Sequence, residues 1–259
     1  MHKAVRDLRE GLARWELWGT LGWNEISQRY RRSVIGPFWI TISMGIMVAG
    51  LGVLYASLWG LPTREYLPYL TIGFVVWNFI AGLLLESCQV FSGVGGVIRQ
   101  IRVPLSVHVF QMLWRNLIVM GHNVAILIAV MLVYDVRLGI TVWLAVPGFL
   151  LICLNGVWGG LLLGLICTRF RDVPQIVTNA VQILFFLTPV LWKAERLAEH
   201  RYVVALNPFH HLLELVRTPL LGGIPTFETW VIAGLVTVVG WGATLPIFTR
   251  YRSRIAFWV

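Results

Sequence analysis

Charged residues are scarce in this sequence. Asp, Glu, Lys and Arg make up 13% of its 259 residues, and hydrophobic residues make up 58%, whereas an average soluble domain is about 25% charged. This composition excludes an ordinary water-soluble domain and indicates a membrane protein.

Cysteine and lysine are also rare. The three cysteines, Cys88, Cys153 and Cys167, lack the spacing of a disulfide framework or a metal site, so we interpret them as small apolar residues. Lysine occurs only at Lys3 and Lys193, and neither follows a glycine. Because the phosphate-binding loop of ATPases contains a Gly-Lys pair, this chain is not expected to hydrolyse ATP.

Catalytic and metal-binding patterns are weak as well. Ionisable residues inside membrane spans mark ion or proton pathways, and His122 is the only such candidate besides cysteine and tyrosine, which argues against a proton-coupled carrier. The adjacent His210 and His211 would point away from each other on a helix, so we interpret them as interface residues. No catalytic residue, metal, cofactor or nucleic-acid partner is predicted for this chain.

Six long tracts contain no Asp, Glu, Lys or Arg. Each has at least 19 residues, against the roughly 20 that cross a hydrocarbon core of about 30 Å. The tracts are 33–63, 66–85, 116–134, 138–168, 173–192 and 229–249. They predict six spans, with both termini on one side of the membrane.

The basic residues predict which side that is. Fifteen lysines and arginines lie on the side of the termini and six on the other, while the acidic residues divide evenly. By the positive-inside rule both termini are cytoplasmic. The whole net charge of +9 therefore faces anionic head groups or an anionic partner.

The first 32 residues are charged and amphipathic throughout, so no signal peptide is expected. Apolar residues recur there at helical spacing: Val5, Leu8, Leu12, Trp15, Trp18, Gly22, Ile26 and Tyr30. This pattern predicts one helix lying flat in the membrane interface. The stretch "RYRRSVIGPFW" follows, and its Arg29, Arg31 and Arg32 are either a topology anchor or a docking point for a phosphate or a partner protein.

Two turns on the cytoplasmic side are prominent. Glu86 and Arg115 end adjacent antiparallel spans at the same boundary, which predicts an ion pair, and a short helix is expected between them around 97–103; a plain helical hairpin is the alternative. In "CTRFRDVPQIV", Arg169, Arg171 and Asp172 crowd the turn before the fifth span. Asp172 suits a helix N-cap, and the concentration of charge suggests a docking site.

The outer segment 193–228 is too apolar for a solvated loop and too rich in proline and glycine to span. Irregular backbone in lipid must be covered by protein or face water, so we predict two short re-entrant helices. Glu214 and Arg217 on the second are three residues apart and are expected to pair.

We therefore predict an all-α fold with a single transmembrane domain over residues 1–259. Its parts are an interfacial helix (1–32), spans one to five (33–192), an outer loop with re-entrant helices (193–228), span six (229–249) and a cytoplasmic tail (250–259).

Three segments in this order, "RYRRSVIGPFW", "RFRDVPQIV" and "LNPFHHLLELVR", resemble the membrane subunit of type 2 ABC exporters, in the branch that moves lipid-linked polysaccharides such as O-antigen, capsule or teichoic acid. The resemblance implies a homodimer bound to two separate ATPase subunits that carry ATP and Mg²⁺. It also implies a bacterial inner membrane, with a Gram-negative source preferred.

The resemblance implies roles for particular residues. Contacts with the ATPase are assigned to the N-terminal helix, the short helix and the charged turn. The residues named in the short helix and the turn are Val97, Ile98, Arg99, Gln100, Arg102, Arg169, Arg171 and Asp172. Closure of the ATPases on ATP would move these levers and shift the first and fifth spans at the dimer axis. Arg29, Arg31 and Arg32 could receive the pyrophosphate of a lipid carrier, because guanidinium binds phosphate in bidentate geometry.

Aromatic residues, including 13 tryptophans, could line the pathway, since sugar C–H faces stack on rings. The candidates are Phe38, Trp39, Trp77, Phe185, Phe186 and Trp192. Interface belts and helix packing are the alternative for each.

Two other functions stay open. A type 2 permease for a drug or small lipid would share the architecture. A membrane-embedded glycan transferase would need a set of acids and histidines, and the outer segment contains Glu195, Glu199, His200, His210, His211, Glu214 and Glu228.

Overall fold

The structure is a computed structural model that describes residues 2–31, 35–36, 38–101 and 103–259. The described part is 84% helical and contains no strand, which confirms the all-α prediction. Its α-helices are α1 (His2–Ala13), α2 (Trp15–Tyr30), α3 (Phe38–Trp59), α4 (Thr63–Ser87), α5 (Gly95–Gln100), α6 (Ser106–Val133), α7 (Ala145–Arg169), α8 (Val173–Leu187), α9 (Arg201–Ala205), α10 (Pro208–Leu220), α11 (Phe227–Tyr251) and α12 (Ile255–Trp258).

Five helical segments among the described residues are long and apolar enough to cross a membrane. They are Phe38–Trp59, Thr63–Ser87, Ser106–Val133, Ile140–Arg169 and Phe227–Trp258. Each overlaps one of the predicted apolar tracts, and together they make the chain an integral membrane protein.

The remaining tract, 173–192, differs from the prediction. Its helix α8 has 15 residues and ends at Leu187, so the six-span count is not confirmed. Thr188 is extended, with φ −86° and ψ 135°, because a following proline disfavours the helical conformation. The apolar tract extends past Pro189, whereas the helix ends before it.

Helix α4 forms the centre of the bundle. It contacts α3, α6, α7, α8 and α10. Of the residues in its most apolar 18-residue stretch, 72% are buried inside the protein. A helix that is apolar all round must be covered by protein or lipid, and here other helices cover it. Helices α3 and α8 lie against α4 and keep exposed apolar faces.

Helix α7 approaches its neighbours through glycines. A Cβ atom added to Gly148 would lie 2.6 Å from the carbonyl oxygen of Leu215 in α10, and one added to Gly156 would lie 2.7 Å from Leu83 in α4. Small residues permit this close backbone approach.

The N-terminal region forms two helices and not the single predicted one. The break is at Arg14, with φ −88° and ψ 44°. The short helix predicted around 97–103 is α5, which begins two residues earlier, at Gly95, and ends at Gln100.

The outer segment contains a 3₁₀ stretch, Ala194–His200, followed by α9 and α10. Asn207 caps α10, since its side-chain oxygen accepts a hydrogen bond from Phe209 N at 3.0 Å. Pro208 occupies the first helical position, where its missing N–H costs nothing. We call this side of the bundle the α10 end and the opposite side, with α5 and α12, the α5 end.

Candidate functional site

An ion network at the α5 end joins three helices. Arg115 of α6 donates to Glu86 of α4, Nη2 to Oε2, at 2.8 Å, which is the pair expected from the sequence. It also pairs with Glu25 of α2. Gln111 donates to Glu25 at 2.9 Å, and Asn116 donates to Glu86 at 3.1 Å. Both carboxylates are thus held by charge-assisted hydrogen bonds.

The electrostatics of this network favour ionised carboxylates. Burial raises the pKa of Glu25, but the hydrogen bond and charge of Arg115 and the hydrogen bond from Gln111 outweigh burial and hold that pKa below its ordinary value. Glu25 is therefore charged at neutral pH and stays attached to Arg115.

A cavity of about 320 Å³ lies beside the network. Its polar lining comprises Glu25, Arg29, Glu86, Gln89, His108, Gln111 and Arg115. Among the described residues, Arg29 brings one predicted phosphate contact to this cavity. Arg31 follows α2 at its C-cap and is exposed, and Arg32 lies outside the described residues.

A second set of polar contacts at the α5 end, centred on Asp7, was not predicted. Asp7 of α1 is buried and accepts hydrogen bonds from the backbone N–H groups of Leu105 (3.3 Å) and Ser106 (3.0 Å) at the start of α6. Arg252 pairs with the same carboxylate at 2.8 Å. One sequence feature could have indicated this contact. Ala4 and Gly11 flank Asp7 at helical spacing, and a helix face with small residues permits close packing against another helix.

The residues assigned to ATPase contact lie at the α5 end. Arg99 and Gln100 are exposed on α5, and Ile98 is half-buried. The side chain of Val97 and all of Arg102 lie outside the described residues.

The charged turn lies between α7 and α8. Arg169 ends α7, and Arg171 and Asp172 are exposed in the turn. Asp172 occupies the N-cap position of α8, but its side chain makes no capping hydrogen bond and its backbone is helical. The predicted N-cap position of Asp172 is therefore confirmed, but its side chain does not cap the helix.

The six candidate aromatics separate into exposed, half-buried and buried residues. Phe38, Trp39 and Phe186 are exposed, on α3 and α8. Trp77 is only 4% exposed, and its ring packs 5.9 Å from Phe185 and 6.1 Å from Phe209, measured between centroids. Trp77 thus lies inside the bundle.

Trp192 and Phe185 are half-buried. Trp192 Nε1 donates to the carbonyl oxygen of Phe186 at 3.0 Å, which folds the chain back at the end of α8.

Arg217 anchors the α10 end. It pairs with Glu214, with Nε to Oε1 at 3.1 Å, and donates to the carbonyl oxygen of Pro189 at 2.6 Å. Its guanidinium carbon lies 3.9 Å from the ring centroid of Tyr69. The predicted pair of Glu214 and Arg217 is thus part of a buried junction of α10, α4 and the end of α8.

Glu214 and His210 of α10 both have altered pKa values. Burial raises the pKa of Glu214, but the charge of Arg217 and its hydrogen bond outweigh burial and lower that pKa. Burial lowers the pKa of His210 to about 4 despite the nearby Glu214, so His210 is neutral at pH 7.

Glu214 and His210 line a cavity of about 490 Å³ at the α10 end. It includes five of the acids and histidines that a transferase could use: Glu195, His210, His211, Glu214 and Glu228. Two of them are already engaged, since Glu214 holds Arg217 and His211 Nε2 lies 2.8 Å from the carbonyl oxygen of Ala205.

Comparison with known proteins identifies the family. The model of the ABC-2 type transporter family matches residues 16–221. The chain is 21% and 23% identical to two O-antigen export system permease proteins RfbA of Klebsiella pneumoniae, over 90% of each chain. It is 24% identical to the RfbA permease of Myxococcus xanthus, over 90% of this chain and 91% of that one. The chain belongs to the ABC-2 type transporter family.

Proposed function

We propose that this chain is the membrane subunit of an ATP-driven exporter that moves a lipid-linked polysaccharide, of O-antigen or capsule type, out of the cytoplasm. The observation that carries the proposal is the similarity to three O-antigen export permeases over 90% of the chain. The similarity thus extends over most of the chain and is not confined to one motif.

In this proposal two copies of the chain form the pathway in the bacterial inner membrane, with both termini cytoplasmic. Each copy binds one ATPase subunit, which carries ATP and Mg²⁺. The drug-permease alternative needs the same partners, so it differs only in the cargo.

The α5 end would receive the movement of the ATPase. Helix α5 and the α7–α8 turn expose Arg99, Arg169 and Arg171 there. The Arg115 network joins α2, α4 and α6 directly beside this surface. Because Gly93 and Val94, just before α5, line the same cavity as Arg115, a displacement of α5 would reach the three helices together.

Substrate contacts would lie on the exposed faces of α3 and α8. Phe38 and Trp39 lie at the start of α3, close in sequence to Arg29 and Arg31, which could hold the lipid pyrophosphate. Phe186 lies near the far end of α8. A chain of sugars could therefore stack on rings at both ends of its path.

The test is to co-express the chain with its cognate ATPase subunit, extract the complex in mild detergent and measure ATPase activity with and without a lipid-linked glycan. We expect a complex with two copies of each subunit, whose ATPase activity the glycan changes. A complex that responds to small amphiphiles and not to glycan would favour the drug or small-lipid permease. Turnover of lipid-linked sugar by the chain alone would contradict the proposal and favour the transferase.

A further inference from the structure

The last helix, α12, packs against two of the segments to which ATPase contact is assigned, α5 and the end of α7. Ile255 is completely buried. The ring centroid of Trp258 lies 5.7 Å from the guanidinium carbon of Arg169 at the end of α7. A Cβ atom added to Gly95 in α5 would lie 2.9 Å from Cβ of Val259. Helix α12 therefore bridges α5 and the α7–α8 turn.

One side chain of α12 points away from this packing. Phe257 is 86% exposed. Ile101, the residue after α5, and Phe170, the residue after α7, are also exposed. Each of the three segments thus exposes a large apolar side chain on it or directly after it, and α12 contacts the other two. Exposed apolar surface of this kind marks an interaction site.

The exposed charges of these segments have mainly one sign. Arg99, Arg169, Arg171 and Arg254 are exposed there, with Asp172 as the acidic neighbour in these described segments. An apolar centre with a polar rim is the usual anatomy of a protein interface. The basic rim fits a partner whose surface presents carboxylates.

We propose that Phe257 is a contact for the ATPase subunit, inserted in an apolar groove of that subunit whose rim carries acidic side chains. The inference rests on the proposed function, which supplies the partner, and adds α12 to the contact segments already assigned. Because α12 packs on α5 and the end of α7, one bound subunit would contact all three segments at once.

The first test replaces the exposed ring. The full chain with Phe257→Ala is reconstituted in lipid nanodiscs and titrated with the purified cognate ATPase subunit. We expect about tenfold weaker binding, the loss typical of truncating an aromatic anchor at an interface centre. Phe227→Ala is the matched control, since Phe227 is 83% exposed but begins α11 at the opposite end. It should bind as the unsubstituted chain does.

The second test displaces α12 without changing it. Gly95→Ala adds a methyl group against Val259, whereas Gly96→Ala adds the same group where no atom lies within 4 Å. Both substitutions favour helix to the same extent. We expect weaker ATPase binding for Gly95→Ala alone, with thermal unfolding confirming that both variants are folded.

The outcomes separate the two levels of the proposal. If the unsubstituted chain bound no ATPase subunit, the proposed function would be contradicted. If it bound the subunit and Phe257→Ala bound it equally well, only the role of α12 would be overturned. Unchanged ATPase binding, with a lower unfolding temperature of Phe257→Ala only in nanodiscs that contain anionic lipid, would assign this surface to the membrane and also overturn the inference.

Discussion

Arg217 is a buried charge in a membrane protein, and its surroundings explain how it is tolerated. It is 1% exposed and meets the carboxylate of Glu214, the carbonyl oxygen of Pro189 and the ring of Tyr69. A buried charge is stable only when paired and hydrogen-bonded. Arg217 meets both conditions, so it ties three segments together with one side chain.

Replacing Arg217 with methionine should lower the free energy of unfolding by about 3–5 kcal/mol, because it leaves Glu214 buried without its partner. The measurement is denaturant-induced unfolding in detergent micelles. The double variant Glu214→Gln with Arg217→Met should recover part of the loss, since the unpaired charge is gone.

Arg196→Met provides the control for this prediction. Arg196 lies in the same outer segment but is exposed, so its replacement should cost no more than about 1 kcal/mol. Equal losses for the Arg196 and Arg217 variants would contradict the anchoring role of Arg217.

For single residues, the sequence predicted two ion pairs but not the further partners that each arginine has in the structure. The pair of Glu214 and Arg217 follows from helical spacing, and that of Glu86 and Arg115 follows from the shared boundary of two spans. Glu25, the second partner of Arg115, is 90 residues away in sequence. Its contact depends on how α2 docks on α6, which no local pattern specifies.

Among the elements, α7 depends on glycine for its contacts. Gly148 faces the backbone of Leu215 in α10, so the two helices approach where no side chain intervenes. Backbone atoms cannot rotate away as the end of a side chain can, and any added atom must push the helices apart.

Gly148→Ala should therefore destabilise the protein by about 1–3 kcal/mol, the usual cost of overpacking. Gly159→Ala on the same helix is the matched control, since no atom lies within 4 Å of the added methyl group, and it should be neutral or slightly stabilising. Unfolding in detergent measures both. A neutral Gly148→Ala would mean that α7 and α10 are not in close contact.

The sequence predicted helix boundaries that depend on the hydrophobicity of side chains. It missed the boundaries that depend on the backbone conformation of single residues. Apolar tracts located five long helices, because hydrophobicity is additive along a span. The end of α8 depends on one residue, Pro189, which changes the backbone without changing hydropathy. The break at Arg14 in the N-terminal region carries no proline or glycine and had no such signal.

At the scale of the whole molecule, the described residues expose apolar side chains on α6 and α11, and also on α3 and α8, the two helices assigned to the proposed dimer axis. The proposed homodimer would cover part of these faces. Such faces alone are also compatible with lipid, so the arrangement of copies needs a direct measurement.

Oxidative cross-linking in membranes provides that measurement. Ile183→Cys on α8 should give a covalent dimer, because Ile183 is 59% exposed on a face assigned to the dimer. Val238→Cys on α11 is the control, since Val238 is 70% exposed but lies outside that face, and it should stay monomeric. The unsubstituted chain, whose three cysteines are buried or half-buried, serves as the blank. The reverse pattern would place α11 at the interface.

The early end of α8 also has a consequence for the lipid around the protein. A helix of 15 residues is about 22 Å long at 1.5 Å per residue, against about 30 Å of hydrocarbon. A bilayer matched to so short a helix must thin or admit polar groups beside it. If α8 crosses the bilayer, as the sequence predicts, a hydrophilic head group beside it would have roughly 8 Å less hydrocarbon to cross. The barrier to flipping a lipid at that point would then be lower before any ATP is used.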